Sequence, residues 1–165
     1  MGFEMRLTLL AVTGLLAFPL AAFADLNVII LDENRLPYDL SKSRYENSAS
    51  NYENSISNYE NSKSNYDNSE SNYTNSSSNY ENGSNGERRL ISNRNEFLGY
   101  YVFADTGVMN FFNTAGKRVG YKPNNPDTKS VFSASGEWCG TLGNQDGAIV
   151  LGLSENCFYR FLLDN

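Results

Sequence analysis

Seven phenols on a fixed period are the first candidates for chemistry in this chain. Tyr38, Tyr45, Tyr52, Tyr59, Tyr66, Tyr73 and Tyr80 each stand seven residues after the last. Tyr brings a broad aromatic face and a hydroxyl at low conformational cost, which is why recognition surfaces favour it. Set along an extended face beside Asn amides, it suits a glycan, through ring stacking and amide hydrogen bonds, or a protein surface. Asn47, Asn54, Asn61, Asn68, Asn75 and Asn82 follow the tyrosines by two residues. The candidate binding surface is therefore Tyr45, Tyr52, Tyr59, Tyr66, Tyr73 and Tyr80. The competing arrangement packs these rings inside the array as its core, and a repeat with one large apolar residue favours it. Recognition would then pass to the variable positions or to the C-terminal part.

Catalysis finds little support. The chain has no His, so Ser-His-Asp and Cys-His arrangements and His-bearing zinc sites are excluded. Two carboxylates could serve glycoside hydrolysis. The candidates outside the array are Glu87, Glu96, Asp105, Asp127, Glu137, Asp146, Glu155 and Asp164. Most fall in turns, where acids are common, and the spacing selects no pair. No catalytic, cofactor-binding or metal-ligating residue is assigned. The acids after the tyrosines (Glu46, Glu53, Glu60, Asp67 and Glu81) form a row whose oxygens could bind calcium, but the dense Asp-Gly patterns of calcium loops are missing. A solvated acidic face is the simpler reading. Asn72, Asn75 and Asn82 complete N-x-Ser/Thr, as chance dictates in so Asn- and Ser-rich a sequence. Net charge is −6, and only Arg88, Arg89 and Arg94 cluster, so nucleic acid and anionic membranes are poor partners.

The elements that must position these residues divide the sequence. Leu7 to Ala22 is an apolar run after Arg6, and Ala22-Phe23-Ala24 closes it with an A-x-A pattern. This reads as a signal peptide, residues 1–24, with cleavage before Asp25. The run is shorter than the ~20 residues of a spanning helix, so no stable membrane insertion is expected after cleavage. Secretion to the periplasm or the extracellular space follows. Cys139 and Cys157 then read as one disulfide, since the compartment is oxidising and there is neither His nor C-x-x-C.

Residues 25–37 supply a β-branched strand, Asp25 to Leu31, and a connector. Residues 38–86 are the heptad array, Asn-Tyr-Glu-Asn-Ser-Ile-Ser from Asn51, with free choice mainly at the third and sixth positions. The sixth holds Lys42, Ala49, Ile56, Lys63, Glu70 or Ser77. A coiled coil needs two apolar positions per heptad and is not met. Disorder is one reading of so polar a repeat. The favoured one is a narrow β-solenoid, with identical side chains stacked ~4.8 Å apart, Asn ladders, and the variable positions facing water. Absence of Pro from Tyr38 to Lys122 fits continuous main-chain pairing.

Residues 87–165 carry aromatic and β-branched runs between Gly- and Asn-rich turns. They predict strands over Arg88–Ser92, Phe97–Phe103, Val108–Phe112, Arg118–Tyr121, Lys129–Phe132, Trp138–Leu142, Ala148–Leu153 and Cys157–Leu163. No helical period stands out, so an antiparallel meander of short strands is expected. Phe112 to Gly120 echoes Phe132 to Gly140 at a spacing of twenty, a hairpin used twice. In a flat meander the two cysteines would lie nearly 10 Å apart, beyond disulfide reach. The expectation is that Cys157 sits in the loop before its strand.

The Asn-aromatic-x-Asn-Ser array, Val119-Gly120-Tyr121, Ser130-Val131-Phe132-Ser133, Trp138-Cys139-Gly140-Thr141-Leu142-Gly143 and the closing Cys157-Phe158-Tyr159-Arg160 together resemble a group of small secreted bacterial proteins. The resemblance runs from Tyr38 to the end. In that group the repeats often carry Trp and Pro where this chain has Tyr and Ser. It implies a bacterial secreted protein and no activity.

The sequence thus reads as an all-β, non-enzymatic, secreted binding or structural protein of the envelope or extracellular space, of the adhesion or scaffold class. The C-terminal domain caps the array in this reading, covering an edge that would otherwise recruit other chains, further copies included. One alternative is a flexible tether displaying a C-terminal inhibitor or effector domain. Another is a small hydrolase acting through carboxylates.

Overall fold

The computed structural model describes residues 25–163. The expected signal segment, residues 1–24, lies outside the described residues. Eight strands run β1 Leu26–Ile30, β2 Arg89–Ile91, β3 Phe97–Phe103, β4 Met109–Asn113, β5 Arg118–Lys122, β6 Ser130–Ser133, β7 Trp138–Gln145 and β8 Ala148–Leu153. They close into a barrel in chain order. From β2 to β8 each strand pairs antiparallel with the next. Seven alternating strands leave β2 and β8 pointing the same way, so closure needs parallel pairing. β1 supplies it, lying parallel to both neighbours. The all-β class stands, but the open meander is corrected to a closed barrel, because the N-terminal strand joins the sheet and removes both edges.

Parallel neighbours need a crossover connection. Between β1 and β2 that crossover is the whole heptad array. It is not a β-solenoid. Each repeat forms a short 3-10 turn from Tyr to the Asn two residues on, as in Tyr52–Asn54, Tyr59–Asn61 and Tyr66–Asn68. Its main-chain hydrogen bonds are local, i to i+3, with no strand ladder between coils: Asn54 N–H donates to Asn51 C=O and Ser55 N–H to Tyr52 C=O. The local bonds win because Asn and Ser side chains complete them. Asn51 Oδ1 accepts from Glu53 N–H, and Ser55 Oγ accepts from Ser57 N–H. The N–H groups of Glu53, Asn54, Ser55, Ser57 and Asn58 are thus all engaged within one repeat. That use of donors, rather than solenoid pairing, is what excludes Pro from these positions.

The barrel interior holds Leu26, Val28, Leu90, Tyr101, Phe111, Val131 and Leu151, among others. The expected last strand, Cys157–Leu163, is corrected to helix: α1 Glu155–Phe158 followed by a π-helical turn, Tyr159–Leu163. Ser154 caps it, its Oγ accepting from Cys157 N–H. Phe161 and Leu162 insert into the barrel core. Gly120 makes room for them, since a Cβ there would come within 2.8 Å of the Phe161 ring. Cys157 lies in α1, not in a loop before a strand, and bonds Cys139 of β7 with Cα atoms 5.6 Å apart. The helical turn brings the sulfurs within reach where a flat strand could not. Among the described residues no helix is long and apolar enough to cross a membrane, and the disulfide fits an oxidising compartment.

Candidate functional site

The array lies across the outer face of the barrel as a belt. Residues that alternate away from the core on β3 to β6 would ordinarily face water, yet Tyr100, Val102, Phe112, Tyr121 and Phe132 are buried. The belt covers them and is held by hydrogen bonds from the strands. Tyr100 O–H donates to Asn75 C=O at 2.6 Å and Tyr121 O–H to Asn54 C=O at 2.7 Å. Asn110 Nδ2 donates to Asn68 Oδ1, Arg118 Nη2 to Asn61 C=O, and Thr128 Oγ1 to Asn47 Oδ1. Asn61, Asn68 and Asn75, in successive repeats, meet β5, β4 and β3 in succession. Over these three repeats the belt crosses about one strand per repeat, a spacing of ~4.8 Å, whereas Asn54 and Asn61 both meet β5.

Inside the belt sits Asn. Asn47, Asn54, Asn61, Asn68, Asn75 and Asn82 are no more than 1% exposed. Each Nδ2 reaches back into the preceding repeat and donates to two carbonyls, as Asn61 does to those of Glu53 and Ser55 at 2.9 and 3.0 Å. These amides perform the task expected of a ladder, but with main-chain acceptors in place of one another. Tyr is the outer residue. The seven rings are 60 to 75% exposed, which corrects the reading that packed them inside. A phenol turned inward would desolvate its hydroxyl, whereas the shorter Asn amide can satisfy two buried carbonyls from the same space. Among the described residues no hydrogen bond or ring contact engages the phenols of Tyr45, Tyr52, Tyr59, Tyr66, Tyr73 or Tyr80, so they form one row facing outward. Ser at the seventh position is exposed beside them, as at Ser57, Ser64 and Ser71.

The sixth position, expected to face water, is exposed at Lys42, Ala49, Lys63, Glu70 and Ser77 and half-buried at Ile56, and it lies on the side of the belt next to the barrel hairpins. Ile56 packs against the cluster of Ala104, Val108, Tyr121 and Phe132 and abuts Gly136. Glu70 Oε1 accepts from Arg118 N–H at 2.8 Å. Ser77 abuts Gly116, and the Lys42 ammonium lies 5.5 Å from the Trp138 ring centre. Gly116 and Gly136 belong to the two echoed hairpins and adopt φ of 81° and 90°. The echo is a reused turn whose tips touch the belt.

Arg118 is the charged residue under the belt. Its Nε donates to Asn110 Oδ1, Nη2 to Asn61 C=O, and its guanidinium carbon lies 5.1 Å from the Tyr121 ring centre. Burial pushes its pKa down to about 10, and the group stays charged at neutral pH. Burial also raises the pKa of Tyr101 to about 12 and those of Tyr100 and Tyr121 further. A cleft of about 260 Å³ opens beside Arg118, lined by Lys63, Asn68, Glu70 and Ala134. A second, about 370 Å³, lies between Asp39, Arg44 and Asp127. Both are open to solvent. Among the described residues no three His, Cys, Asp or Glu side chains converge as a metal site would require.

All six tyrosines singled out from the sequence come together in this row; Cys139 and Cys157 lie apart from it, at the barrel core. Sequence reasoning missed the barrel residues that seat the belt. Their signal was present: Asn110 interrupts the apolar run Val108 to Phe112, and Arg118 opens a strand ahead of Val119, Gly120 and Tyr121. No protein-family model, curated protein or solved structure matches the chain.

Proposed function

We propose that this is a secreted, non-enzymatic binding protein of the adhesion or scaffold class, acting in the cell envelope or extracellular space. Its belt offers a linear aromatic face to an elongated glycan. The observation that carries this reading is the outward row of phenols. Aromatic residues that lack a packing role are costly to expose, yet the belt repeats one at every turn while burying Asn. Aromatic faces stack on sugar rings, and the exposed Ser hydroxyls beside them suit a polyhydroxylated chain. The disulfide and the closed barrel supply a rigid mount for such a face.

Retention of the protein on insoluble polysaccharides tests the reading directly. Tyr52→Ala, Tyr59→Ala and Tyr66→Ala combined should abolish retention, whereas the three Phe substitutions should keep most of it. Retention unchanged in the triple Ala variant would overturn the assignment.

A further inference from the structure

The charge beside the rings narrows the ligand, an inference that rests on the glycan reading above. From Tyr45 to Tyr80 each outward Tyr is followed by the third-position residue, and this is Glu46, Glu53, Glu60, Asp67, Thr74 or Glu81. At the ends of the row the acids are neutralised: Glu46 pairs with Arg44 at 3.1 Å and Glu81 with Arg88 at 3.3 Å. At its centre they are not. Among the described residues the carboxylates of Glu53, Glu60 and Asp67 accept no hydrogen bond and join no ion pair. Their backbones, by contrast, are clamped on both sides. The N–H groups donate to Asn51, Asn58 and Asn65, and the carbonyls accept from Asn61, Asn68 and Asn75. The main chain that carries these acids, one residue after Tyr52, Tyr59 and Tyr66, is therefore held in place while their carboxylates stay free to meet a ligand. Belt lysines do not offset them, because Lys42 and Lys63 occupy the sixth position on the barrel side, against Trp138 and in the Arg118 cleft.

We infer that the central strip, Tyr52 to Asp67, binds a linear glycan bearing free amines, a polymer of β-linked glucosamine. An ammonium is attracted both to a carboxylate and to an aromatic face, and the two together recognise it better than either alone. The exposed phenols separate this ligand from a basic peptide: a pyranose ring has a face that stacks on a phenol while its amine meets a neighbouring acid, and an extended lysine-rich chain has no such face.

The test is calorimetric titration of the protein with the glucosamine hexamer, its fully N-acetylated counterpart, cellohexaose and a lysine-rich peptide, at low and high salt. The glucosamine hexamer should bind at least tenfold more tightly than the acetylated or neutral chains, and more weakly as salt rises. Glu53→Gln, Glu60→Gln and Asp67→Asn combined should remove that preference while leaving the unfolding midpoint unchanged. Equal affinity for all three hexamers, in the parent and in the amide variant, would overturn the charge assignment and leave the glycan reading standing. Binding of no hexamer would overturn both. Preference for the peptide over every glycan would also defeat the inference, and the salt series on the unmodified protein decides the matter if the amide variant fails to fold.

Discussion

At the scale of single residues, the belt inverts the usual assignment of polar and aromatic side chains. Asn61 shows why. Among the described residues its Nδ2 is the one hydrogen-bond donor to the Glu53 carbonyl and shares that of Ser55, so removing it strands a part-buried acceptor. Asn61→Ala should lower stability by about 2–3 kcal/mol, whereas Tyr59→Ala two residues away should change it by less than ~0.5 kcal/mol. Urea titration of the two variants distinguishes the inside from the outside, and similar losses would contradict the arrangement. The phenols under the belt make a second expectation. Burial raises the pKa values of Tyr100, Tyr101 and Tyr121. Below the ordinary phenol value near 10 both folded and unfolded chains are neutral there. Above it the unfolded chain releases protons that the folded chain retains, so stability falls as pH rises. Arg118 and Lys122, pushed down by burial, contribute with the opposite sign but are outnumbered. With no His in the chain, stability should be flat from about pH 6 to 9 and drop above about 10. Unfolding curves measured across that range would show a rise instead if the phenols were exposed.

Elements that repeat raise a problem of register. Barrel groups contact the belt largely through positions that every repeat shares: Asn54, Asn61 and Asn75 carbonyls, and Asn47 and Asn68 side-chain oxygens. A slip of seven residues would preserve these contacts in kind. The sixth position distinguishes one repeat from the next on the barrel side, through Ile56 against the Tyr121–Phe132 cluster and Glu70 on Arg118 N–H. Exchanging Ile56 with Glu70 keeps composition but places a carboxylate against apolar rings and an isoleucine at the polar notch. It should destabilise the protein by about 2–4 kcal/mol and broaden hydrogen exchange across the belt, where Ile56→Val should cost about 1 kcal/mol or less. A neutral exchange would mean the register is set elsewhere. The same positions show what was legible in the sequence. The seven antiparallel strands were readable because Gly-bounded turns separate runs such as Phe97–Phe103 and Ala148–Leu153, which match the observed strands end to end. The period of the array was readable too, but not its hand of inside and outside. Period seven specifies that one face differs from another, and hydrophobicity pointed the wrong way because the belt's core is made of hydrogen bonds. The helical end escaped notice because Cys157–Leu163 is apolar on most positions, as a short segment plugging a barrel must be, and so carries no amphipathic period.

For the molecule as a whole, the belt and the barrel complete one another. β1 can lie parallel between β2 and β8 only because the belt carries the chain from its end back to the start of β2. The outer faces of β3 to β6 are apolar only because the belt covers them. Two closures of the barrel can then be compared. The Cys139–Cys157 bond spans 18 residues and, in the chain-entropy account, should contribute about 3 kcal/mol. Reduction should lower the unfolding midpoint and loosen the C-terminal helix, yet leave the belt seated, since among the described residues no hydrogen bond or ion pair joins the belt to α1. Removing residues 38–86 should do far more. It would uncover Tyr100, Phe112, Tyr121 and Phe132, leave Arg118 without its belt carbonyl, and deny β1 its crossover. A chain shortened in this way, oxidised and at the same concentration, should bind a hydrophobic dye, lose its near-ultraviolet signal from the buried aromatic rings, and unfold without a cooperative transition. A cooperative unfolding curve with an intact aromatic signal would show instead that the barrel stands alone. The belt would then be an accessory to the fold, and its row of tyrosines the sole reason for its presence.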